Sequence, residues 1–433
     1  MSSANADPER FPNGLKHTVD EVAKYGIKTA IWHATAGYWN GIDPEGELAK
    51  KLSDCLTVLP NGKLVPRFDS EENAYKFFSE IHRQLRAEGV EFVKVDNQSF
   101  IRRHFQNVAP VGKVARNMHA GLEASVGENF DGNVMNCMCM AIENMWNRPK
   151  SALARCSGDF LPENREWFKT HIMQCVYSAM FQGEFYWTDY DMWWTDDGQA
   201  GKNSLLRAIS GGPVYVSDKI GRSRPELLRP LAFNDGRIPR PDKPARPALD
   251  SLFTDPVTTT TPLKIFNTCS NGRYGVIAAY NINEKNKRVH GVISPDDVYG
   301  LSGEEFAVYE YNTGKLRFLK RGDGRRSGYA ASRFAARELV LSGILLKVGL
   351  QLKHLTGDHA IERRMLQPAH SGFINLLAPD NILRPVGQIL RVHVGALAHQ
   401  HTRLGGQSEV DVDILRVPVN VAHHREQLLH HSL

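Results

Sequence analysis

A chain of 433 residues with 42% hydrophobic and 9% aromatic residues can fill two or three cored domains. Its net charge of +5 is mild and free of long basic runs, which argues against nucleic-acid and membrane partners. The six cysteines form no CxxC pair, the start is polar without a signal core, and no stretch reaches membrane-span length, so a reduced, cytoplasmic protein is expected.

Residues 11–25 read as a helix with Leu15, Val19, Val22 and Ala23 on one face, closed at Tyr25-Gly26. Ile27 to Trp32 is a short strand, and His33-Ala-Thr-Ala-Gly37-Tyr38-Trp39 an aromatic loop. Residues 43–66 form an excursion with turns at Pro44-Glu-Gly46 and Pro60-Asn-Gly62. Ser70 opens a helix whose Ala74, Phe77, Phe78, Ile81 and Leu85 recur at helical spacing. Gly89 ends it, and Phe92 to Val95 is a buried strand running into Lys94-Val95-Asp96.

The alternation continues. A helix near 112–126 precedes a strand at Val134–Met140. Ser151–Arg155 is another strand, tipped by Cys156-Ser157-Gly158-Asp159-Phe160. A helix at 164–182 leads to Gly183–Trp187, and one at 198–210 to Pro213–Val216. Six strand–helix units, with strands near 28, 93, 136, 153, 185 and 215, give an α/β fold: a partial (β/α)8 barrel of the TIM type over residues 1–235. A Pro-rich linker follows at 236–262. Short strands with tight turns over 263–320 predict a C-terminal antiparallel β-sandwich. From 321 to 433 the composition changes again. Between 340 and 433 Phe373 is the one Phe, Tyr or Trp, and ten of the seventeen histidines fall there. This stretch reads as a disordered extension or as out-of-frame sequence, in preference to a metal site; neither metal nor cofactor is expected.

Lys94 and Asp96 are two apart on a strand and share a face, so the lysine holds the aspartate ionised. A structural ion pair would explain this motif taken alone. Asp159, at the tip of a strand bearing Arg155, adds a second carboxylate, and Phe160 beside it would keep it drier and protonated. Two carboxylates in such different settings are what retaining glycoside hydrolysis requires. Trp32, Trp39, Trp187, Trp193 and Trp194 near strand ends would stack on sugars, with core packing as their alternative use.

The segments Phe11–Lys16, Ile31-Trp-His33, Gly37-Tyr-Trp39, Lys94–Gln98, Arg155–Phe160, Asp189–Met192, Arg207–Lys219 and Leu252–Asp255 resemble the raffinose synthase and alkaline α-galactosidase (seed-imbibition) group of glycoside hydrolase family 36. The resemblance covers residues 11 to about 320. It implies a barrel whose nucleophile is Asp96 and whose acid/base is Asp159. Plant relatives have two aspartates after the serine where this chain has Gly158-Asp159. The resemblance also implies galactose contacts from Lys94, Arg155 and Asp191, with Trp32 and His33 beside them. Family members carry an N-terminal β-sandwich and two earlier barrel strands that this sequence does not match. The expected activity is therefore that of a retaining α-galactosidase or galactosyltransferase on raffinose-type α-galactosides. The alternatives are a truncated, catalytically incompetent chain that at most binds galactosides, and an unrelated barrel lyase or isomerase, which would need a divalent metal.

Overall fold

The structure is a computed structural model that describes residues 1–312, 314–323, 332–336 and 343–348, the last two stretches as strand backbone. The expectations for the tail beyond 348 lie outside the described residues. The chain divides into two compact units, one running from Met1 to Cys156 and the other comprising the described residues from Ser157 on. Composition placed the first boundary at 235, where helices give way to short strands. The contacts divide the chain earlier, because composition marks a change of element type and not the density of packing.

The first unit contains α1 (Gly14–Ala23), β1 (Ala30–Ala34), α2 (Glu47–Lys51), β2 (Leu56–Val58), β3 (Leu64–Pro66), α3 (Glu71–Ala87), β4 (Phe92–Asp96), α4 (Phe100–Phe105), α5 (Val111–Phe130), β5 (Val134–Asn136), α6 (Ile142–Met145) and β6 (Leu153–Arg155). β1, β4, β5 and β6 pair in parallel, in that order. This is the sequential strand order that helical crossovers of this length produce. Ser70 caps α3 by accepting from the Asn73 N–H at 3.1 Å. Phe77, Phe78 and Ile81 of α3, Val93 and Val95 of β4, and Met118 and Leu122 of α5 form one apolar core. The excursion at 43–66 holds the β2–β3 hairpin, turning at Pro60-Asn-Gly62. β1 begins three residues later than expected, and β5 and β6 are three residues each.

The second unit holds α7 (Arg165–Gln182), β7 (Trp187–Asp189), α8 (Ala200–Ser210), α9 (Pro225–Leu228), β8 (Arg246–Pro247), α10 (Leu249–Phe253), β9 (Leu263–Cys269), β10 (Tyr274–Tyr280), β11 (Val289–Ile293), β12 (Glu305–Glu310), β13 (Lys315–Lys320), β14 (Ser332–Ala336) and β15 (Gly343–Val348). Gly183–Tyr186, expected to be a strand, instead closes α7, and the strand begins at Trp187. The strand expected near 215 is a single parallel bridge between Trp193 and Val216. Pro213 cannot donate to a ladder, which shortens it. The sheet order is β13-β12-β15-β10-β9-β8, and β11 pairs with β14. Ile277, Phe306, Val308 and Leu319 from the larger sheet share a core with Ile293 of β11, as in a sandwich. Two corrections follow. The stretch read as linker contributes β8 and α10. The antiparallel region does not end at 320, because β15 fills the place between β12 and β10, whose backbones need a partner there.

Candidate active site

β4 is buried along its whole length, which puts Lys94 (6% exposed) and Asp96 (9%) inside the protein. Parallel register pairs Trp32 with Lys94 and Ala34 with Asp96. These residues therefore share one face of the sheet, while Val93 and Val95 face the helical core. The Trp32 indole N–H donates to Asp96 Oδ2 at 3.0 Å, and the Asn97 N–H donates to Oδ1 at 2.6 Å. Both carboxylate oxygens are thus fixed by N–H donors at the strand tip.

The turn around Asp96 is held in place. Asn97 has φ 56° and Tyr38 φ 63°, both in the left-handed region that costs a non-glycine residue energy. Asn97 donates its side-chain amide to the Tyr38 carbonyl at 3.2 Å, and the Thr35 hydroxyl donates to the Asn97 carbonyl at 2.9 Å. The loop after β1 is thereby tied to the loop after β4. Trp32 stacks on Trp39 with centroids 5.8 Å apart and tilts against Tyr38 at 5.3 Å. These rings form a half-exposed aromatic wall beside the carboxylate.

Arg155, at the end of β6, is 2% exposed. Burial pushes the Cys137 thiol up, while the charges of Arg155 and Lys94 pull it down and that of Asp96 pushes it up. The charges of Asp96, Lys94 and Arg155 are thus all felt at Cys137. A buried carboxylate held by an indole donor and a backbone N–H, with a lysine on the same strand face, can attack an electrophilic carbon while staying oriented. His33 does not belong to this cluster. One residue past Trp32 on a strand, it faces the other way, and its Nε2 lies 3.0 Å from His82 Nε2 on α3. His82 in turn meets the Ser125 hydroxyl at 2.8 Å. Burial drives His33 down to about 4, which keeps it neutral in the helical core, on the side of the sheet away from Trp32.

In the second unit the Asp159 loop is pinned at three successive backbone groups. The Gly158 N–H donates to Gln174 Oε1 at 2.8 Å. The Trp167 indole donates to the Asp159 carbonyl at 2.7 Å. The Phe160 N–H donates to Asp191 Oδ2 at 2.7 Å. Phe160 is buried against Trp193, whereas Asp159 is exposed. The dry setting expected for Asp159 is therefore not what the chain builds, because it turns between these two neighbours. Asp191 is fully buried at φ 68°, and the Tyr215 hydroxyl bridges it (3.3 Å) and Asp189 (2.9 Å). The buried Arg207 guanidinium donates to the carbonyls of Tyr190, Asp191 and Met192. Asp191 thus holds the Asp159 loop, and Arg207 holds Asp191.

The sequence names Asp96, Lys94, Arg155, Trp32, Asp159 and Asp191 as site candidates. It does not name Gln174, Trp167, Tyr215 and Arg207, which hydrogen-bond around Asp159 and Asp191. The last two lie in the quoted Arg207–Lys219 run, which was the available signal. Among the described residues no group of His, Cys, Asp and Glu is arranged to hold a metal, and no helix is long and apolar enough to cross a membrane.

Residues 3–287 match the family model described as raffinose synthase or seed imbibition protein Sip1. A probable galactinol–sucrose galactosyltransferase 6 of Arabidopsis thaliana is 34% identical over 293 residues, 62% of this chain and 38% of that protein. Stachyose synthase of Pisum sativum is 29% identical, covering 63% of this chain and 36% of its own length. The chain thus spans about two fifths of the length of these curated relatives. A GH27 β-L-arabinopyranosidase of Geobacillus stearothermophilus superimposes with a TM-score of 0.55 at 15% identity, over 80% of both chains. A GH36 α-galactosidase of the same organism, solved with raffinose, gives 0.51 at 12% identity, over 80% of this chain and 48% of that one. At these identities the two structures establish the fold alone.

Proposed function

Because the chain belongs to the raffinose synthase and seed imbibition protein Sip1 family, we propose that it transfers a galactosyl group from an α-galactoside, with Asp96 as the nucleophile. The observation that carries this reading is the Asp96 carboxylate at a buried strand tip, held by the Trp32 indole, with the buried Lys94 on the same strand face.

Asp96 Oδ attacks the anomeric carbon, and the bond to the leaving oxygen breaks as Asp159 donates a proton to that oxygen. This leaves a galactosyl–Asp96 ester. The Asp159 carboxylate then takes a proton from water or from a sugar hydroxyl. The oxygen so activated attacks the anomeric carbon and releases the Asp96 carboxylate. Two displacements retain the anomeric configuration. Hydrolase and transferase differ only in which hydroxyl enters the second step. Lys94 and Arg155 supply donors and positive charge for the galactosyl hydroxyls, and the Trp32–Trp39 wall offers apolar surface to the ring. Asp191 acts by holding the Asp159 loop. The largely buried cysteine side chains fit a reducing, cytoplasmic setting.

The test is nitrophenol release from p-nitrophenyl α-galactoside by the purified chain, with and without Asp96→Asn. We expect turnover that Asp96→Asn abolishes, and labelling of the 92–98 peptide by a 2-fluoro-galactosyl fluoride. Folded wild-type protein that binds galactoside and releases no nitrophenol would leave only a binding role. Turnover surviving in Asp96→Asn would displace Asp96 as the nucleophile.

A further inference from the structure

The run that opens at Lys94 ends on Gln98, a fully buried side chain with no part in the chemistry above. Asn136, at the end of β5, is as deeply buried. Val95, Asn136 and Ala154 are partners in the parallel register, so they form one row across β4, β5 and β6. Val95 in this row belongs to the helical core, where an apolar neighbour is the expected choice over an amide. We propose that Gln98 and Asn136 are positioning residues for the Asp96 carboxylate, joined as one amide bridge. This inference rests on the reading of Asp96 as the nucleophile.

The bridge has a single orientation. Gln98 Nε2 donates to the Val95 carbonyl at 3.1 Å, and Asn136 Nδ2 donates to the Leu153 carbonyl at 3.1 Å. A carbonyl oxygen can only accept, so each amide must present its nitrogen there. The second N–H of Gln98 then meets the side-chain oxygen of Asn136, at 2.8 Å. Val95 is the residue before Asp96, and Leu153 lies two before Arg155. Side chains thus tie β4 to β6 across β5, where the backbone register joins β5 to β6 at the single pair Asn136–Ala154.

The consequence falls on the turn after Asp96. Asn97 in that turn has φ 56°, and its N–H is one of the two donors that fix the carboxylate. The loop after β1 grips the turn from one side, through Thr35 and Tyr38. Gln98 grips it from the side of β5. Its side chain folds back on Val95, and its carbonyl accepts from the Asn144 amide at 3.3 Å. Asn144 in turn meets His119 of α5 at 2.9 Å. A non-glycine residue stays in the left-handed region only where its surroundings over-determine it. Loosening the turn at Gln98 therefore loosens the Asn97 donor, and with it the carboxylate, whose orientation is a large part of its reactivity.

Stability alone does not account for the bridge. Gln98 Oε1 has no hydrogen-bond partner among the described residues. A buried acceptor left so is destabilising, and replacing both members of a buried polar pair by apolar groups of like shape is nearly neutral or stabilising. A polar bridge kept where an apolar pair would pack as well fits a site that gives up stability for a fixed geometry.

The test compares the whole chain as wild type, Gln98→Met, Asn136→Leu and the double variant. Each is melted, its 95–99 peptide is followed by hydrogen exchange, and its inactivation by 2-fluoro-galactosyl fluoride is resolved into binding and bond formation. We expect the saturating inactivation rate to fall about fivefold in each single variant, the effect of one lost neutral hydrogen bond, with the half-saturating concentration unchanged. The double variant should fall no further than the worse of the two, because both substitutions cut the same bond, and it should melt within a few degrees of wild type. Exchange at 95–99 should quicken in all three. Inactivation rates or 95–99 exchange equal to wild type, losses that multiply in the double variant, or a weakened binding step would each overturn the assignment. The single variants cut the bridge from opposite strands, so one that misfolds leaves the other to decide. If neither folds, the bridge is a stability element and the proposal fails. A wild type that the reagent does not label defeats the nucleophile reading, while exchange at 95–99 still decides whether the bridge holds the turn.

Discussion

Side chains one position apart on β1 have unrelated roles. Trp32 donates to Asp96, and His33 lies in the helical core. The period-2 alternation of a strand explains this, and applied strictly it places His33 on the face opposite Trp32. The same scale identifies Trp167 as a positioning residue. Its indole N–H holds the Asp159 carbonyl at 2.7 Å, so Trp167→Phe removes one hydrogen bond and keeps most of the packing. One neutral hydrogen bond is worth about 1 kcal/mol, or roughly fivefold in rate. We expect kcat/KM for a poor leaving group to fall about fivefold. A dinitrophenyl galactoside, whose leaving group departs without a proton, should lose little. Equal losses on both substrates would mean a general structural effect and no specific hold on Asp159.

At the scale of elements, α3 and α5 pack closely at Gly121. A Cβ placed on Gly121 of α5 would sit 2.5 Å from the Ala74 Cβ and closer still to the Tyr75 backbone nitrogen. Two effects compete in Gly121→Ala. Helix propensity favours alanine by about 1 kcal/mol, while forcing a methyl against backbone costs about 1–3 kcal/mol. The clash wins, because Tyr75 N belongs to a helix that cannot give locally. Gly127 is the internal control: it lies on the same helix with nothing within 4 Å of an added Cβ. Thermal melts should show Gly121→Ala lowering Tm and Gly127→Ala raising it or leaving it unchanged. A rise for Gly121→Ala would show that the two helices can move apart at little cost.

For the whole molecule, what the sequence made legible follows the range of the interactions. The run Phe92–Asp96 is apolar except for Lys94 and Asp96, so the strand and the carboxylate at its tip were both readable from five residues. The α3 and α7 helices were readable from their periods. β15 was not, because its partners β10 and β12 lie 33 or more residues away and its own stretch carries no turn signal. The support of the Asp159 loop was not readable either. Gly158 meets Gln174, and Phe160 meets Asp191, through single side-chain-to-backbone bonds that leave no periodic trace. Nor does burial of ionisable groups show in a pattern, yet it sets how the protein responds to acid. His33, His82 and His119 are all buried, and desolvation lowers each: His33 to about 4, His119 to about 3, and His82 well below its usual value. The nearby Arg148 adds to the effect on His119. Because the folded values lie below the unfolded 6.5, the unfolded chain binds more protons as pH drops through 6.5, and stability is lost. Each histidine removes about 1 kcal/mol between pH 7 and 5.5, so the three together remove roughly 3 kcal/mol. Glu123 and Asp297 are raised by burial and act in the opposite sense nearer the carboxylate range, which is why the test stays at or above pH 5.5. Urea unfolding at pH 7, 6.5, 6 and 5.5 should give a falling midpoint. His119→Gln, which keeps an amide to face Asn144, should recover about a third of the drop. A midpoint flat across this range would mean that these imidazoles are solvated and the packing around them is looser than the structure shows.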